Sequence, residues 1–168
     1  MTWDRGSAGS NRSFHLRPAT RKEQAAIRAL IRAVRINPLG IHWRRFVLAV
    51  DDQDGMVGCG QIKPHADGSR ELASIAVVEA WRGRGVAKAL ITHLMQAAKP
   101  PLWLTCRSRL MPFYERFGFR AVEPGQPMPA YFRRILRLVR IFVRARSIAE
   151  APAVMVWQDS CKGDSDRS

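Results

Sequence analysis

The chain has 168 residues, of which 28 are Lys or Arg and 14 are Asp or Glu, so its formal net charge is +14. This length suits one domain that folds without disulfides or a structural metal, and the charge favours anionic partners. The cysteines are widely spaced and form no CxxC pair, which indicates neither a disulfide framework nor a zinc site. No apolar run is long and charge-free enough for a membrane span or a signal peptide, so we expect a cytoplasmic protein.

The ends of the chain and one internal stretch differ in composition from the rest. Residues 1–13 and 159–168 are small, polar and charged, so we expect flexible tails around a single domain at 14–158. Within that domain, a proline-rich segment opens the stretch 124–151 and leads into residues 131–146, where apolar side chains and arginines occupy opposite arcs of a helical wheel. This pattern predicts a basic amphipathic helix inserted before the last strand.

In chain order, the other patterns alternate between strands and helices. Thr20 and Glu23 have capping-box spacing at the start of an amphipathic helix, a second amphipathic helix follows Gly85, and a short one covers 113–117. The near-continuous apolar character of residues 71–78 is typical of a central strand that is covered on both faces. The predicted strands are residues 14–20, 46–50, 56–62, 71–78, 102–106, 119–122 and 153–157.

A glycine-rich turn joins the predicted central strand to the helix that follows it. Gly83 and Gly85 remove side chains where a backbone can approach a ligand, and the helix start offers unpaired N–H groups and the positive end of its dipole. Arg82, Arg84 and Lys88 add positive charge. The turn is therefore either a phosphate-binding loop or a strand-to-helix connection that needs glycine only for its shape.

Two separate motifs resemble those of the GNAT superfamily of N-acetyltransferases. Arg82-x-x-Gly85-x-Ala87 is similar to the coenzyme A loop of that family, and residues 113–119 are similar to its Y-x-x-x-G-F element. The order of strands and helices is also similar. The resemblance implies an α/β fold of three layers, in which helices flank a mixed, centrally splayed β-sheet.

The resemblance also implies a co-substrate and a reaction. It implies that acetyl-CoA donates its acetyl group to a primary amine by direct attack, without a metal. The pyrophosphate of the cofactor is expected on the glycine turn, and its pantetheine arm is expected along the central strand. The cofactor-binding residues implied in this way are Ile75, Ala76, Val77, Arg82, Gly83, Arg84, Gly85, Val86, Ala87 and Lys88.

Two side chains are candidates for the acid and the base. Tyr114 matches the family tyrosine that points at the cofactor sulfur and can protonate the departing thiolate, whereas a packed helix tyrosine is the alternative interpretation. Glu71 matches a glutamate that acts as the base in many members, and a solvated carboxylate at a strand end is its alternative. Arg107 stands where many members carry asparagine, so we expect the local cofactor contacts to differ.

The acceptor and the role of the basic helix stay open. An amino-acid-like small molecule and a peptide or protein amine both fit, and a carboxylate-bearing acceptor would suit four arginines, Arg44, Arg45, Arg107 and Arg109. The helix at 131–146 docks on the domain, lies on an anionic membrane surface or binds another partner, and we expect no specific nucleic acid. The competing interpretation is a non-catalytic module that senses acyl-CoA or binds a membrane or nucleic acid. We expect a monomer or a homodimer.

Overall fold

The computed structural model describes residues 13–123, 125–142 and 151–158. Its helices are Gln24–Ala33 (α1), Val86–Ala97 (α2), Met111–Glu115 (α3) and Ala130–Phe142 (α4). Its strands are Phe14–Pro18 (β1), Phe46–Asp51 (β2), Met56–Pro64 (β3), Arg70–Val77 (β4), Leu102–Arg107 (β5), Arg120–Ala121 (β6) and Pro152–Trp157 (β7). The strands form one seven-stranded sheet in the order β1-β2-β3-β4-β5-β7-β6.

The predicted elements all occur, and the differences lie at their ends. The strand predicted at 119–122 is reduced to the two residues of β6. The helix predicted at 131–146 begins one residue earlier, and its predicted end lies outside the described residues, as do the predicted tails apart from residue 13. The predicted capping box is present, because the Thr20 backbone N–H donates to the Glu23 carboxylate at 2.7 Å. Short 3-10 turns often precede α-helices, and one of them lies between this cap and α1.

Neighbouring strands of the sheet are antiparallel except for β4 and β5, which are parallel. Within their described residues, β4 and β5 are register partners at one position, Glu71 with Trp103, and the strands diverge beyond it. The sheet is therefore mixed and splayed at its centre, as predicted. A gap between two strands exposes backbone groups and side chains that would otherwise be covered.

A β-bulge lies in β4 beside this gap. The register with β3 moves from Cys59 opposite Ala76 to Gln61 opposite Ala73, so β4 contains one more residue than β3 over this interval. Ser74 lies within the extra length and has a φ of 58°, in the left-handed region that side-chain-bearing residues seldom occupy. Such bulges turn a strand locally and are frequent beside functional sites.

Helix α2 packs on one face of the sheet above two glycines of β3. A Cβ atom at Gly58 would lie 2.8 Å from Cγ1 of Val86, and one at Gly60 would lie 3.0 Å from Cδ1 of Leu94. Both distances are shorter than the roughly 3.5–4 Å of normal carbon contacts. The missing side chains therefore set how closely α2 approaches the sheet and bury residues such as Leu90.

Helices α1 and α4 cover the opposite face. Ile27 and Ile31 of α1 are fully buried against β2 to β4. Phe132 of α4 is also fully buried and stacks on Trp103 of β5, with ring centroids 5.4 Å apart. The predicted basic helix therefore docks on the domain through its first turns. No helix in the described ranges is long and apolar enough to cross a bilayer.

Candidate active site

A cleft of about 470 Å³ opens where β4 and β5 diverge, on the side of the sheet that α1 and α4 cover. It is lined by residues of both strands, by α3 and α4, and by the segment that follows α1. Glu71 from β4 and Tyr114 from α3 both line it, and so does Ile75. The fold thus brings together two residues that are far apart in the sequence and that were predicted to act as base and acid.

Glu71 is a buried carboxylate, with 7% of the residue exposed. Its Oε2 lies 2.9 Å from Nε2 of His65, whose side chain is 5% exposed. Its register partner on β3 is Lys63, which also lines the cleft. A carboxylate with this burial and a fixed partner differs from the solvated strand-end residue that was the alternative interpretation of the sequence.

His65 belongs to the turn between β3 and β4 and is enclosed by α4. The imidazole stacks on the ring of Tyr131 with centroids 3.5 Å apart, and Phe132 meets it edge-on at 5.6 Å. The backbone N–H of Tyr131 donates to Oδ2 of Asp67 at 2.9 Å. Hydrogen bonds from the Ser69 hydroxyl and from this N–H lower the pKa of Asp67 to about 2. The first turn of α4 is thus attached to the β3–β4 turn at two points.

Tyr114 lies within an aromatic cluster at the other side of the cleft. Its ring is edge-on to Phe113 and Phe119, at centroid distances of 5.2 and 6.2 Å. Burial raises the pKa of the Tyr114 phenol above its ordinary value, and the neighbouring Cys106 adds to this shift. Burial also raises the pKa of the Cys106 thiol to about 11, and its Sγ lies 3.9 Å from Sδ of Met155. Both groups therefore keep their protons at neutral pH.

Three further polar side chains lie in or beside the cleft. The Nε2 of Gln61 donates to Oγ of Ser74 at 3.0 Å, so the bulge residue is held by a side chain from β3. Within the described residues, Oε1 of Gln61 and Oγ1 of Thr105 are buried without a hydrogen-bond partner. Ser74 and Thr105 line the cleft directly. Unpaired buried polar atoms are costly, and they occur frequently where a ligand or water completes the site.

The glycine turn has the geometry of an anion-binding loop. Gly83 and Gly85 have φ values of 75° and 82°, and Cβ atoms built on them would meet no heavy atom within 4 Å. Helix α2 begins directly after Gly85. Among the described residues, the backbone N–H groups of residues 83–88 donate no hydrogen bond to a backbone carbonyl beyond those within α2. The glycines are therefore needed for their backbone conformation, and the space beside them is open.

Charged side chains surround this turn. Trp81, which precedes it, is buried and carries the guanidinium of Arg84 at 5.7 Å from its ring. The guanidinium of Arg82 lies 3.9 Å from the carboxylate of Glu79, and both side chains are largely exposed. Such an exposed pair is weak and can exchange for another anion.

The residues implied as cofactor contacts fall into two groups. Along β4, Ile75 lines the cleft, whereas Ala76 is 3% exposed and lies in the core under α1. Val77 is half-buried. The second group forms the glycine turn and does not line the cleft: Arg82, Gly83, Arg84, Gly85, Val86, Ala87 and Lys88.

The residues that line the cleft differ in part from those that the sequence indicated. Of the arginines considered for an anionic acceptor, Arg107 and Arg109 line the cleft, whereas Arg44 and Arg45 do not. His65 was not singled out from the sequence, since nothing in its local pattern indicates which residue it contacts. Lys63, Thr105 and Tyr131 also line the cleft without a signal in the sequence.

Among the described residues, no cluster of three or more His, Cys, Asp or Glu side chains could hold a metal ion. The splayed sheet and the glycine turn at a helix start are features that the resemblance to the GNAT superfamily implied. Residues 42–121 match the family model for the acetyltransferase (GNAT) domain. These residues are just under half of the chain. The predicted fold class, a mixed and centrally splayed sheet flanked by helices, is confirmed.

Solved structures extend this likeness to most of the chain. Rv2747 from Mycobacterium tuberculosis, in complex with CoA and NLQ, has a TM-score of 0.65 and 21% identity over 86% of this chain and 98% of its own. N-acetylglutamate synthase from Neisseria gonorrhoeae, complexed with coenzyme A and N-acetyl-glutamate, has a TM-score of 0.68 and 19% identity over 87% of this chain. This chain spans only 35% of that synthase.

A GNAT-family acetyltransferase from Staphylococcus aureus Mu50 has a TM-score of 0.61 and 14% identity over 87% of this chain and 99% of its own. No curated protein matches the chain significantly by sequence. At these identities the likeness concerns the fold.

Proposed function

We propose that the protein transfers the acetyl group of acetyl-CoA to a primary amine, by direct attack of the amine on the thioester. The observation that carries this proposal is that Glu71, a buried carboxylate, and Tyr114, a half-buried phenol, line one cleft at the gap between β4 and β5. The acceptor is an amino-acid-like small molecule or a peptide or protein amine.

The glycine turn fits the pyrophosphate of acetyl-CoA. The backbone amides at 83–88 lie at the start of α2, and the open space beside Gly83 and Gly85 lets phosphate oxygens reach them. Arg82, Arg84 and Lys88 are exposed around the same turn and supply positive charge. Beyond Glu71, the described residues of β4 have no register partner on β5, so the backbone at 75–77 is available to the pantetheine arm.

Acetyl-CoA supplies an activated acyl group, and the protein moves two protons. Glu71 accepts the proton that the amine loses as its nitrogen bonds to the carbonyl carbon. The carbon–sulfur bond then breaks, and Tyr114 donates its phenolic proton to the thiolate. Because burial raises its pKa, the Tyr114 phenol carries this proton at neutral pH. Burial of both groups reduces competition from water.

The charges of the cleft favour an acceptor that carries a carboxylate. Arg35, Lys63, Arg107 and Arg109 line the cleft, and Glu71 is the one carboxylate among its described lining residues. Arginine and lysine bind carboxylates by charge-assisted hydrogen bonds. The synthase structure with N-acetyl-glutamate is a relative of similar fold whose ligand has this chemistry.

Calorimetry with acetyl-CoA, followed by thiol release over amino acids, polyamines and peptides, tests the proposal. We expect binding, and acetyl-CoA-dependent thiol release with at least one class of amine. Binding without turnover on any acceptor would favour a non-catalytic acyl-CoA sensor. Absence of binding would contradict both functions.

A further inference from the structure

We propose that His65 is a positioning residue for Glu71, and that α4 holds His65 in the orientation which this task requires. The inference rests on the proposed function, in which Glu71 is the base. The proposal adds two parts to the site, the His65 side chain of the β3–β4 turn and the first turn of α4. Neither part belongs to the segments that we propose for the cofactor.

The hydrogen bond between His65 and Glu71 leaves one carboxylate oxygen for the substrate. Nε2 of His65 lies 2.9 Å from Oε2 of Glu71, while Oε1 has no hydrogen-bond partner among the described residues. A carboxylate rotates about its terminal torsion unless something holds it. With Oε2 bound, the free oxygen keeps one direction, so the approaching amine, or a water that relays its proton, meets it in a defined geometry.

The imidazole is itself fixed by its neighbours. Tyr131 lies parallel to one face of the ring at a centroid distance of 3.5 Å, and Phe132 meets the ring edge-on at 5.6 Å. Because Phe132 also stacks on Trp103, the ring position is tied to the sheet. The His65 side chain is 5% exposed, and its enclosure leaves little room for another rotamer.

The attachment of α4 to the turn supports this arrangement from the backbone side. Asp67, two residues after His65, accepts a hydrogen bond from the backbone N–H of Tyr131 at 2.9 Å. The first backbone N–H groups of a helix have no acceptor within the helix, and the Asp67 carboxylate accepts from one of them in α4. The same turn therefore provides the histidine and holds the helix that encloses it.

Two substitutions of His65 separate the hydrogen bond from the packing. His65→Leu keeps an apolar side chain of similar size between the aromatic rings but removes the donor. His65→Gln keeps an N–H donor at the end of a side chain of similar reach. Glu71→Gln gives the reference for loss of the base, and His93→Gln on the exposed side of α2 is the control for losing a histidine. Acetyl-CoA affinity and thermal unfolding are measured for each variant.

We expect His65→Leu to lower kcat by about 10- to 100-fold, the usual scale for a misplaced catalytic group, with an unchanged KM for acetyl-CoA. His65→Gln should recover most of this loss. In the Glu71→Gln background, adding His65→Leu should lower kcat little further. The effects of substituting two residues that act as a unit are not additive.

Three outcomes would overturn the inference while leaving acetyl transfer established. They are an unchanged kcat in a folded His65→Leu variant, an equal loss in His65→Gln and His65→Leu when both are folded, and full additivity with Glu71→Gln. A wild-type protein that binds acetyl-CoA but acetylates no amine would instead contradict the proposed function itself.

Discussion

Glu71 of β4 and Trp103 of β5 are the register partners that join the two parallel strands, and each contacts a different part of the same aromatic cluster. Glu71 is bonded to His65, and Trp103 is stacked under Phe132. His65 and Phe132 in turn contact each other. The point at which the sheet divides is thus covered by α4, and the proposed base lies at this division.

Tyr114→Phe removes the proposed acid and keeps the ring. We expect kcat to fall by about 100-fold or more, in the range found for general acids, with little change in acetyl-CoA affinity. Steady-state thiol release and calorimetry measure the two quantities. Tyr131→Phe is a matched control, because it removes a hydroxyl from the other tyrosine of the same cleft. Equal turnover in wild type and Tyr114→Phe would exclude Tyr114 as the acid.

Gly85→Ala places a side chain in the glycine turn at a φ of 82°. A left-handed conformation costs a residue with a Cβ about 1–2 kcal/mol, and the methyl group lies where phosphate oxygens are expected. We expect the KM for acetyl-CoA to rise by about tenfold while kcat changes little. Gly125→Ala is the control, since Gly125 has a φ of 90° and open surroundings but lies away from this turn. A similar KM in both variants would count against the turn as the pyrophosphate site.

Phe132→Ala removes the ring through which α4 is docked. Phe132 is fully buried against Trp103, and truncation of such a residue lowers the free energy of unfolding by about 3–5 kcal/mol. Denaturant unfolding monitored by tryptophan fluorescence measures the change. Arg133→Ala alters the next residue, which is exposed, and should change stability by less than about 0.5 kcal/mol. If both variants were equally stable, α4 would not contribute its docking energy through Phe132.

Glu23→Gln tests a pH-dependent contribution at the start of α1. Hydrogen bonds from Arg17, against the opposing effect of burial, lower the pKa of Glu23 from 4.5 to about 2. Because the folded-state value is below the unfolded one, this stabilisation is complete above about pH 4.5 and disappears as the pH falls towards 2. The pair is partly exposed, so we expect a loss of about 1 kcal/mol at neutral pH.

Urea unfolding of Glu23→Gln at several pH values measures this contribution. The difference from wild type should shrink through the interval from about pH 4.5 to pH 2, as the wild-type carboxylate becomes protonated. Glu79→Gln, at a carboxylate that is 89% exposed, should show no comparable change. A difference that stayed constant down to pH 2 would contradict the assigned cause.

The order of elements and the identity of two motifs were determined by the sequence itself. Alternation of apolar residues, capping-box spacing and the glycines at 83 and 85 depend on neighbours within a few positions, so local physics is enough to predict them. The ends of β6 and α4 were less predictable, because pairing and packing decide where an element ends. The bulge at Ser74 left no local signal, since it arises from the register of β4 against β3.

What surrounds the reactive groups was decided only by tertiary structure. Glu71 was seen in the sequence either as a base or as a solvated strand-end carboxylate, and its burial beside His65 depends on a turn and on a helix whose first residue is Ala130. Contacts between segments so distant along the chain are set by how helices cover the sheet, which no local pattern records. The sequence alone determined the glycine turn that we propose as the cofactor site, while folding determined the cleft in which an acceptor is expected.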